Sequence, residues 1–326
     1  MRIFTFKGLF FTAVFMLLGC LSIQAADDDL ITKQITIKLD EAGTLPDRIA
    51  KSKIYKITNL KLVGEINGTD LRMIREMAGR DYSGYFTDGK LSVLDLSEAM
   101  IVEGGLLYYS DYSCYTTNNK IGKFAFKGCS GLTSLTLPAN IKWIGESAFS
   151  GCSGLTSLTL PDGVKKIGWC AFYGCSGLTS LTLPSSITTI SASAFSDCSG
   201  LTSLTLPDGI TKIGESAFSN CSGLASIYVY AEKVPKMAED VFKGCDATKC
   251  ILYVPKGTYD DYFISNFGYF ENIEEFEVTG IGKPTTSTDA KELSRYSVNG
   301  QRLVGPTKGL NIVKYSDGSV KKVVVQ

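Results

Sequence analysis

The sequence contains no histidine among its 326 residues. Imidazole is the usual general base near neutral pH, the usual activator of serine and cysteine nucleophiles, and the commonest metal ligand in proteins. Its absence excludes most hydrolase mechanisms and leaves only those built on a carboxylate pair or a lysine. The sequence therefore predicts a protein that is not an enzyme and that needs no cofactor and no metal.

The chain also lacks an excess of either charge, because 33 basic residues balance 33 acidic ones. No run of like charge is long enough to create a strong field, so we expect no nucleic acid partner. The hydrophobic share of 44% and the charged share of 20% are typical of a folded protein.

Long hydrophobic runs are rare, and the one that stands out is GLFFTAVFMLLG near the N-terminus. It follows two basic residues and precedes the polar SIQAADDD, an arrangement that predicts a secretory signal peptide over residues 1–25. The run is too short for a transmembrane segment. Two processing sites stay open: cleavage after Ala25, or the lipobox-like Leu17-Leu18-Gly19-Cys20, which would leave an acylated Cys20. In both cases we expect an exported protein, either secreted or associated with the cell surface or outer membrane.

The decapeptide CSGLTSLTLP occurs four times, beginning at Cys129, Cys152, Cys175 and Cys198. It belongs to a longer unit, IGxxAFxxCSGLTSLTLPxxIxx, that repeats every 23 residues over residues 121–243. A period of this length that contains L-x-x-L-x-L is typical of a leucine-rich repeat solenoid.

Each position of the unit has a predicted place in a coil. Alternation along a strand directs Leu135 and Leu137 into the core and Ser134 and Thr136 outward. The proline that follows ends the strand, because it has no amide proton. A pair of isoleucines forms a second side, and an Ala-Phe dipeptide forms a short helical or turn segment. We expect the glycine of CSG, first found at Gly131, at a tight turn into the strand. The fold class is thus a repeat solenoid with a parallel β-sheet on one face and short strands or helical turns on the other.

The unit AFxGCSGLTSLTLPxxIxxIG resembles the BspA-type leucine-rich repeats of bacterial surface and secreted proteins, notably those of the Bacteroides group and of treponemes. The resemblance covers roughly residues 91–276 and implies adhesion to host or bacterial macromolecules. It divides the chain into N-terminal capping leucine-rich units over 27–90, a leucine-rich repeat array over 91–250 and a C-terminal cap over 251–276. The cap is expected to contain a closing helix around Tyr259 to Phe267.

A helix is also predicted in the N-terminal units, where Leu71, Ile74 and Met77 follow a helical period. Thr69 or Asp70 is expected to cap its N-terminus.

The composition changes after the array. Residues 277–293 are polar and rich in glycine, proline and threonine, which predicts a linker. Residues 294–326 contain the turn dipeptides Asn299-Gly300, Lys308-Gly309 and Asp317-Gly318, which predict a small C-terminal β-hairpin segment. This segment resembles the C-terminal segments of secreted Bacteroidota proteins, some of which act as sorting or attachment signals. The alternative is a small accessory β module.

Ten cysteines in an exported chain raise the question of disulfides. Five of them share one repeat position and point the same way, which is a poor geometry for a bridge. We expect these five to be buried thiols that pack as small hydrophobic groups: Cys129, Cys152, Cys175, Cys198 and Cys221. Local pairs of Cys245 with Cys250, or of Cys170 with Cys175, remain open, and neither spacing is a metal signature.

Hydroxyl side chains form the first candidate binding surface, on the outward face of the main sheet. One hypothesis is that this lattice binds a repetitive ligand such as a glycan, and the alternative is a solvated face of good strand-forming residues. The surface ends at Tyr228 and comprises Ser134, Thr136, Ser157, Thr159, Ser180, Thr182, Ser203 and Thr205.

An insertion ahead of the first regular coil, GGLLYYSDYSCYTTNN, is the second candidate. It carries Tyr108, Tyr109, Tyr112 and Tyr115 among small polar residues, a composition typical of binding loops. The alternative is a loop that packs its tyrosines against the edge of the first coil.

The sequence as a whole favours a non-catalytic, exported leucine-rich repeat protein that binds extracellular proteins or glycans. The alternative function is a carbohydrate-binding or envelope-organising module that uses the hydroxyl lattice. An enzyme would need a convergent pair of acids, and the repeats offer only the scattered Glu146, Asp162, Asp208 and Glu215.

Overall fold

A computed structural model describes residues 30–277 in full, together with the backbone of short strands between 292 and 325. The chain divides into two compact units, Met1–Glu277 and Val278–Gln326. The predicted signal peptide, Cys20 and nearly all of the predicted linker lie outside the described residues.

The first unit is built from short strands. In chain order they are β1 (Ile35–Leu39), β2 (Asn59–Ile66), β3 (Val93–Ile101), β4 (Gly104–Tyr109), β5 (Cys114–Thr116), β6 (Lys120–Ile121), β7 (Ser134–Thr136), β8 (Trp143–Ile144), β9 (Ser157–Thr159), β10 (Lys166–Ile167), β11 (Ser180–Thr182), β12 (Thr189–Ile190), β13 (Ser203–Leu206), β14 (Lys212–Ile213), β15 (Ser226–Val229), β16 (Lys236–Met237), β17 (Ile251–Pro255) and β18 (Asn272–Phe276). Its helices are α1 (Leu45–Arg48), α2 (Gly68–Met77) and α3 (Tyr259–Phe263), with 3₁₀ turns at Lys51–Lys53 and Asn266–Tyr269.

The main sheet takes one strand from each coil, and neighbouring strands are parallel. Its first ladder has the order β1-β2-β3-β7-β9 and its second the order β11-β13-β15-β17-β18. The regular ladder is interrupted between β9 and β11, where the Thr179 N–H reaches the Thr156 carbonyl at 3.4 Å. Within each ladder identical residues pair, as Leu135 does with Leu158. The inward leucines are buried, so the predicted alternation is confirmed.

The second side of each coil is a two-residue strand. These strands form a six-stranded parallel sheet in the order β16-β14-β12-β10-β8-β6. The repeat isoleucines align across it, as Ile144 does with Ile167 and Ile167 with Ile190, and all three are buried. Because a coil is one repeat long, each residue packs against its own copy above and below.

The third side carries the Ala-Phe dipeptide in a turn. Phe126, Phe149 and the equivalent residue of every later coil are buried and stacked, with neighbouring ring centroids 5.1 to 5.6 Å apart. Backbone bonds join the coils here as well: the Phe126 N–H donates to the Ala148 carbonyl at 2.7 Å. The predicted solenoid, with a parallel sheet on one face and short strands and turns on the others, is therefore confirmed.

The glycine of CSG lies in a tight turn before the strand, as predicted, but its backbone conformation is not what requires glycine. Gly131 and its equivalents have no left-handed backbone; positive φ falls at Gly128 and its equivalents instead. A Cβ at Gly200 would lie 2.2 Å from the carbonyl oxygen of Ser176 in the preceding coil. The expected tight turn is present, because the Leu132 N–H donates to the Cys129 carbonyl at 3.2 Å, but the physical reason for glycine is the close approach of two backbones rather than a left-handed conformation.

The helix α2 begins at a capping box centred on Asn67, so the expected caps Thr69 and Asp70 need correction. The Asn67 side chain accepts from the Thr69 N–H at 2.9 Å, and Asp70, at the third helical position, accepts from the Asn67 N–H at 2.9 Å. Asp70 is fully buried, and the bonds that it also accepts from the N–H groups of Gly43 and Leu45 offset the cost of burying its charge. One carboxylate therefore joins the helix to the preceding unit.

The C-terminal cap adds strand pairs as well as a helix. β17 and β18 continue the main sheet in parallel register. The expected single helix over Tyr259 to Phe267 is two elements, since α3 ends at Phe263 and a 3₁₀ turn follows Ser265, whose hydroxyl accepts from the Phe267 N–H at 3.1 Å. Buried Phe267 and Phe270 cover the last ring of the phenylalanine stack.

The second unit contains a four-stranded antiparallel sheet. Its strands are β19 (Glu292–Ser297), β20 (Arg302–Leu303), β21 (Gly309–Tyr315) and β22 (Val320–Val325), in the order β20-β19-β21-β22. The small C-terminal β segment is thus present, with β19 beginning within the predicted linker. Most of the predicted turn residues lie outside the described part of this unit.

Candidate binding surfaces

The outward face of the main sheet carries the predicted hydroxyl lattice in register. Ser134 pairs with Ser157 and Thr136 with Thr159 in the first ladder, and the second ladder repeats this from β11 to β13. Within residues 30–277 none of these hydroxyls bonds to another protein group, although they are exposed or half-buried. They are therefore available to water or to a ligand.

A neighbouring column of threonines is engaged in a different way. The Thr156 hydroxyl donates to the Thr133 carbonyl at 3.1 Å, and the Thr202 hydroxyl donates to the Thr179 carbonyl at 2.9 Å. These threonines precede the strands, and their hydrogen bonds connect neighbouring coils. The lattice thus lies beside a column whose hydroxyls have a structural role.

An aromatic cluster replaces the hydroxyls at the C-terminal end of the same face. Tyr228 stacks on Tyr253 with ring centroids 4.5 Å apart, and Phe276 meets Tyr228 and Tyr230 edge-on at 6.1 and 5.1 Å. All four rings are half-buried. The repeat pattern indicated Tyr228 but not Tyr230, Tyr253 and Phe276, which come together through the register of β15, β17 and β18.

Charged side chains occupy the N-terminal end of this face. The Lys61 ammonium contacts Glu98 at 2.6 Å and Asp95 at 3.5 Å. The hydrogen bond to Glu98 raises the pKa of Lys61. Because Asp95 pairs with Thr136 in the ladder, a single row of outward side chains begins with charge and continues with hydroxyls.

The tyrosine insertion is an ordered hairpin of β4 and β5 rather than an irregular loop. It lies on α2, where the Leu106 N–H donates to the Thr69 hydroxyl at 3.0 Å. Tyr108 and Tyr109 are buried, with Tyr108 only 1% exposed. These two tyrosines therefore fit the packing alternative and do not present a surface to a ligand.

The other two tyrosines of the hairpin face solvent. Tyr112 is 68% exposed and stacks on Phe124 at 4.9 Å, and Tyr115 is 53% exposed. Both remain candidates for contact with a partner.

Side chains close the N-terminal end of the array's third side. The Tyr108 hydroxyl donates to the Lys123 carbonyl at 2.9 Å, and Arg75 donates to the carbonyls of Phe124 and Ala125 at 2.8 and 3.0 Å. Burial raises the pKa of Tyr108, which keeps its hydroxyl a donor. The first coil thus receives from side chains two of the three bonds that later coils receive from their neighbours, at the carbonyls of Lys123 and Ala125.

Six copies of the family described as BspA type leucine-rich repeat region match residues 119–249. The chain contains a BspA-type leucine-rich repeat region. A search of the curated proteins finds no significant match.

Several solved structures are similar to this chain. The leucine-rich repeat protein of T. pallidum is 33% identical, with 42% of this chain and 62% of that protein covered and a TM-score of 0.39. A leucine-rich repeat protein of Bacteroides ovatus is 26% identical over 49% of each chain, with a TM-score of 0.31. The pneumococcal vaccine antigen PcpA is 17% identical, with 75% of this chain and 68% of that chain covered and a TM-score of 0.41. The chain therefore spans less than two thirds of the first two proteins.

The cysteines of the BspA-type region form a ladder of free thiols. All nine described cysteines are free, including both candidate local pairs. The Cys175 thiol donates to the Phe149 carbonyl at 3.2 Å, and the Cys198 thiol bonds in the same way to the Phe172 carbonyl. Burial raises the pKa of Cys198 to about 12. These thiols are protonated packing groups rather than nucleophiles or metal ligands.

The acids of the BspA-type region do not converge. Glu146 and Glu215 share one repeat position three coils apart, which at one strand spacing per coil is roughly 14 Å. Glu146 contacts Lys123 at 2.9 Å, and Asp162 and Asp208 are exposed two coils apart. Among the described residues, no group of three Cys, Asp or Glu side chains is arranged to hold a metal. The same part of the chain holds no helix with the length and hydrophobicity of a membrane span.

Proposed function

We propose that this protein is a non-catalytic, exported binding protein whose outward sheet face recognises an extracellular macromolecule. The observation that carries the proposal is the sequence of side chains along one row of that face. It runs from the Lys61 ion pairs, through paired hydroxyls, to the stacked Tyr228 and Tyr253. A solenoid needs only the inward residues to stack, so this graded outward row is free to serve recognition.

The aromatic cluster supplies the chemistry of a binding centre. Tyrosine and phenylalanine combine a large apolar area with low conformational entropy, and aromatic residues dominate the energetics of many protein interfaces. The hydroxyls beside the cluster would then form a polar rim. We therefore expect a protein partner whose apolar anchor contacts Tyr228, Tyr253 and Phe276.

The experiment measures binding of the full chain to a panel of immobilised extracellular-matrix proteins. The test variant is Tyr228→Ser with Tyr253→Ser, and the matched control is Tyr173→Ser, which removes an exposed tyrosine from the third side. We expect binding to be lost in the test variant and kept in the control. Equal binding by both would reject the aromatic cluster as the contact.

The exposed hairpin tyrosines are a second contact surface for the same function. Tyr112→Ser with Tyr115→Ser removes them without touching the buried Tyr108 and Tyr109. If this variant loses binding and the Tyr228→Ser, Tyr253→Ser variant keeps it, the hairpin is the contact surface.

A glycan is the second candidate ligand, and one observation favours it. The outward hydroxyls repeat in register at roughly the 4.8 Å strand spacing, and they have no protein partner within residues 30–277. A glycan array tests this idea with Thr159→Lys and Thr182→Lys, which place long side chains across the lattice. Glycan binding that survives both changes would exclude the lattice.

Export is part of the proposal and rests on the N-terminal sequence. Growth with a labelled fatty acid distinguishes the two processing routes, because only a lipoprotein carries label on Cys20. Cys20→Ala should abolish the label in that case. A label-free protein whose mature chain begins after Ala25 would establish secretion without an anchor.

A further inference from the structure

Each coil of the array donates three backbone bonds to the next coil on its third side. Ser216, Phe218 and Asn220 donate their N–H groups to the carbonyls of Glu239, Val241 and Lys243 at 3.1, 2.9 and 2.7 Å. Earlier coils make the same three bonds, with donors and acceptors at alternate residues. All donors point toward the C-terminal end of the array and all acceptors toward its N-terminal end.

The last coil has the same backbone geometry, but no further coil follows it on the third side within residues 30–277. Asp240, Phe242 and Gly244 occupy the donor positions, and the φ angles of Asp240 and Gly244, 56° and 81°, are left-handed like those of their equivalents. Within residues 30–277 none of their three N–H groups bonds to an acceptor. They line an open cleft of about 410 Å³ that Asn266 and Tyr269 also line.

Side chains occupy most of the acceptors at the opposite end of the same ladder. By the repeat register a preceding coil would bond the carbonyls of Lys123, Ala125 and Lys127, and Tyr108 and Arg75 already donate to the first two. A second copy of the chain therefore has at most one of the three carbonyls, that of Lys127, to offer the cleft. Head-to-tail stacking of two copies is disfavoured for this reason.

We propose that the cleft binds a peptide segment of a partner protein through its backbone carbonyls, in the turn conformation that the array's own coils adopt there. The array itself shows that this donor row binds carbonyls at alternate residues, since every internal junction does so. Strand addition to a sheet edge shows that main-chain bonds to an unpaired backbone edge can supply affinity in peptide recognition. Aligned N–H groups also place partial positive charge at this end, which favours an acceptor.

The cap determines what the peptide contacts. Phe267 and Phe270 already cover the Phe242 ring, so the peptide gains little from an aromatic side chain there. The exposed Asn266 amide lies beside the donor row and is free for a further bond to the peptide. This site is separate from the outward sheet face, so its test is independent of the function proposed above.

The experiment follows amide hydrogen exchange in the full chain. The probe is a synthetic peptide with the sequence of residues 213–222, IGESAFSNCS, which in the array offers its carbonyls to Ser193, Phe195 and Asp197. Without the peptide we expect Phe242 and Gly244 to exchange at least about tenfold faster than Phe218 and Asn220, the effect of one net hydrogen bond. Saturating peptide should remove that difference.

Two variants locate the binding. Asn266→Trp fills the cleft and should weaken peptide binding at least about tenfold. Ile264→Trp adds the same bulk at an exposed position that does not line the cleft and should leave binding unchanged.

Three results would overturn the proposal. Slow exchange of Phe242 and Gly244 in the free chain at any concentration would mean that the chain itself covers the donors. Protection that grows with protein concentration, together with self-association, would assign the cleft to a second copy. Equal peptide affinity in both tryptophan variants would place the peptide elsewhere.

Discussion

Arg75 donates from its guanidinium to the carbonyl oxygen of Ala125 at 3.0 Å, across fifty residues of chain. The same nitrogen reaches the Phe124 carbonyl, a second nitrogen reaches the Asp81 carbonyl at 3.2 Å, and the side chain is fully buried. A stack of coils with all carbonyls pointing one way accumulates partial negative charge at that end, much as a helix does at its C-terminus. The buried cation therefore donates hydrogen bonds to carbonyls of the first coil and offsets their partial negative charge.

Replacement of Arg75 tests how far the stability of the fold depends on these hydrogen bonds. Arg75→Met keeps the apolar stem but leaves buried carbonyls unpaired, and we expect the free energy of unfolding to fall by about 3 kcal/mol or more, measured by urea denaturation. Arg72→Met on the same helix is the control. Arg72 lies over the Tyr82 ring at 3.8 Å, and its loss should cost about 1 kcal/mol or less. Equal effects would contradict the capping role.

The glycine of CSG offers a matched pair of substitutions. Gly200→Ala would place a Cβ 2.2 Å from the Ser176 carbonyl oxygen, whereas at the equivalent Gly131 the nearest atom is 3.8 Å away. We expect Gly200→Ala to lower the free energy of unfolding by about 2 kcal/mol through forced separation of coils. Gly131→Ala should be neutral or stabilising by a few tenths of a kcal/mol. Similar denaturation midpoints for the two variants would show that the coils do not depend on close approach.

The thiol ladder predicts a loss of stability at high pH. The folded chain holds the Cys198 pKa at about 12, above its ordinary value of 9.0, because the ionised thiol would be buried. Its contribution is complete below pH 9 and is lost as the pH rises toward 12, since only the unfolded state ionises in that window. Cys198→Ala should reduce the pH slope of the unfolding free energy there by about 1.4 kcal/mol per pH unit. An unchanged slope in the variant would contradict this.

Alkylation tests the same burial independently. Of the nine described cysteines Cys170 alone is only partly buried, so iodoacetamide at neutral pH should modify it before the other eight. Mass spectrometry of the digested protein identifies the site. The five cysteines of the ladder should react only after denaturation, and their modification at the rate of Cys170 would show that the coils open readily.

Periodicity explains why the core was predictable. Every inward leucine, isoleucine and phenylalanine meets its own copy in the next coil, so one correctly assigned repeat assigns them all. Leu135, Ile144 and Phe149 are buried as the pattern requires. The free thiols follow from the same reasoning, because Cys152 and its copies point in one direction.

Non-local contacts explain what the sequence did not reveal. Tyr108 looks like a binding residue beside its polar neighbours, and its burial depends on the edge of a coil that begins at Lys120. Arg75 lies in an ordinary helix, and no local signal marks a buried cation that pairs with carbonyls. The aromatic cluster escaped detection because Tyr253 and Phe276 lie in irregular units, where the repeat spacing is no longer 23 residues.

The most direct test of the binding function compares affinities for a partner captured in the extracellular-matrix panel. We expect Tyr228→Ser with Tyr253→Ser to raise Kd by at least about thirtyfold, the effect of one interface hot spot, and Tyr173→Ser to leave Kd unchanged. Both variants must also unfold at midpoints close to that of the parent chain, which shows that they are folded. An unchanged Kd in the folded double variant would contradict the claim that the outward sheet face is the recognition surface.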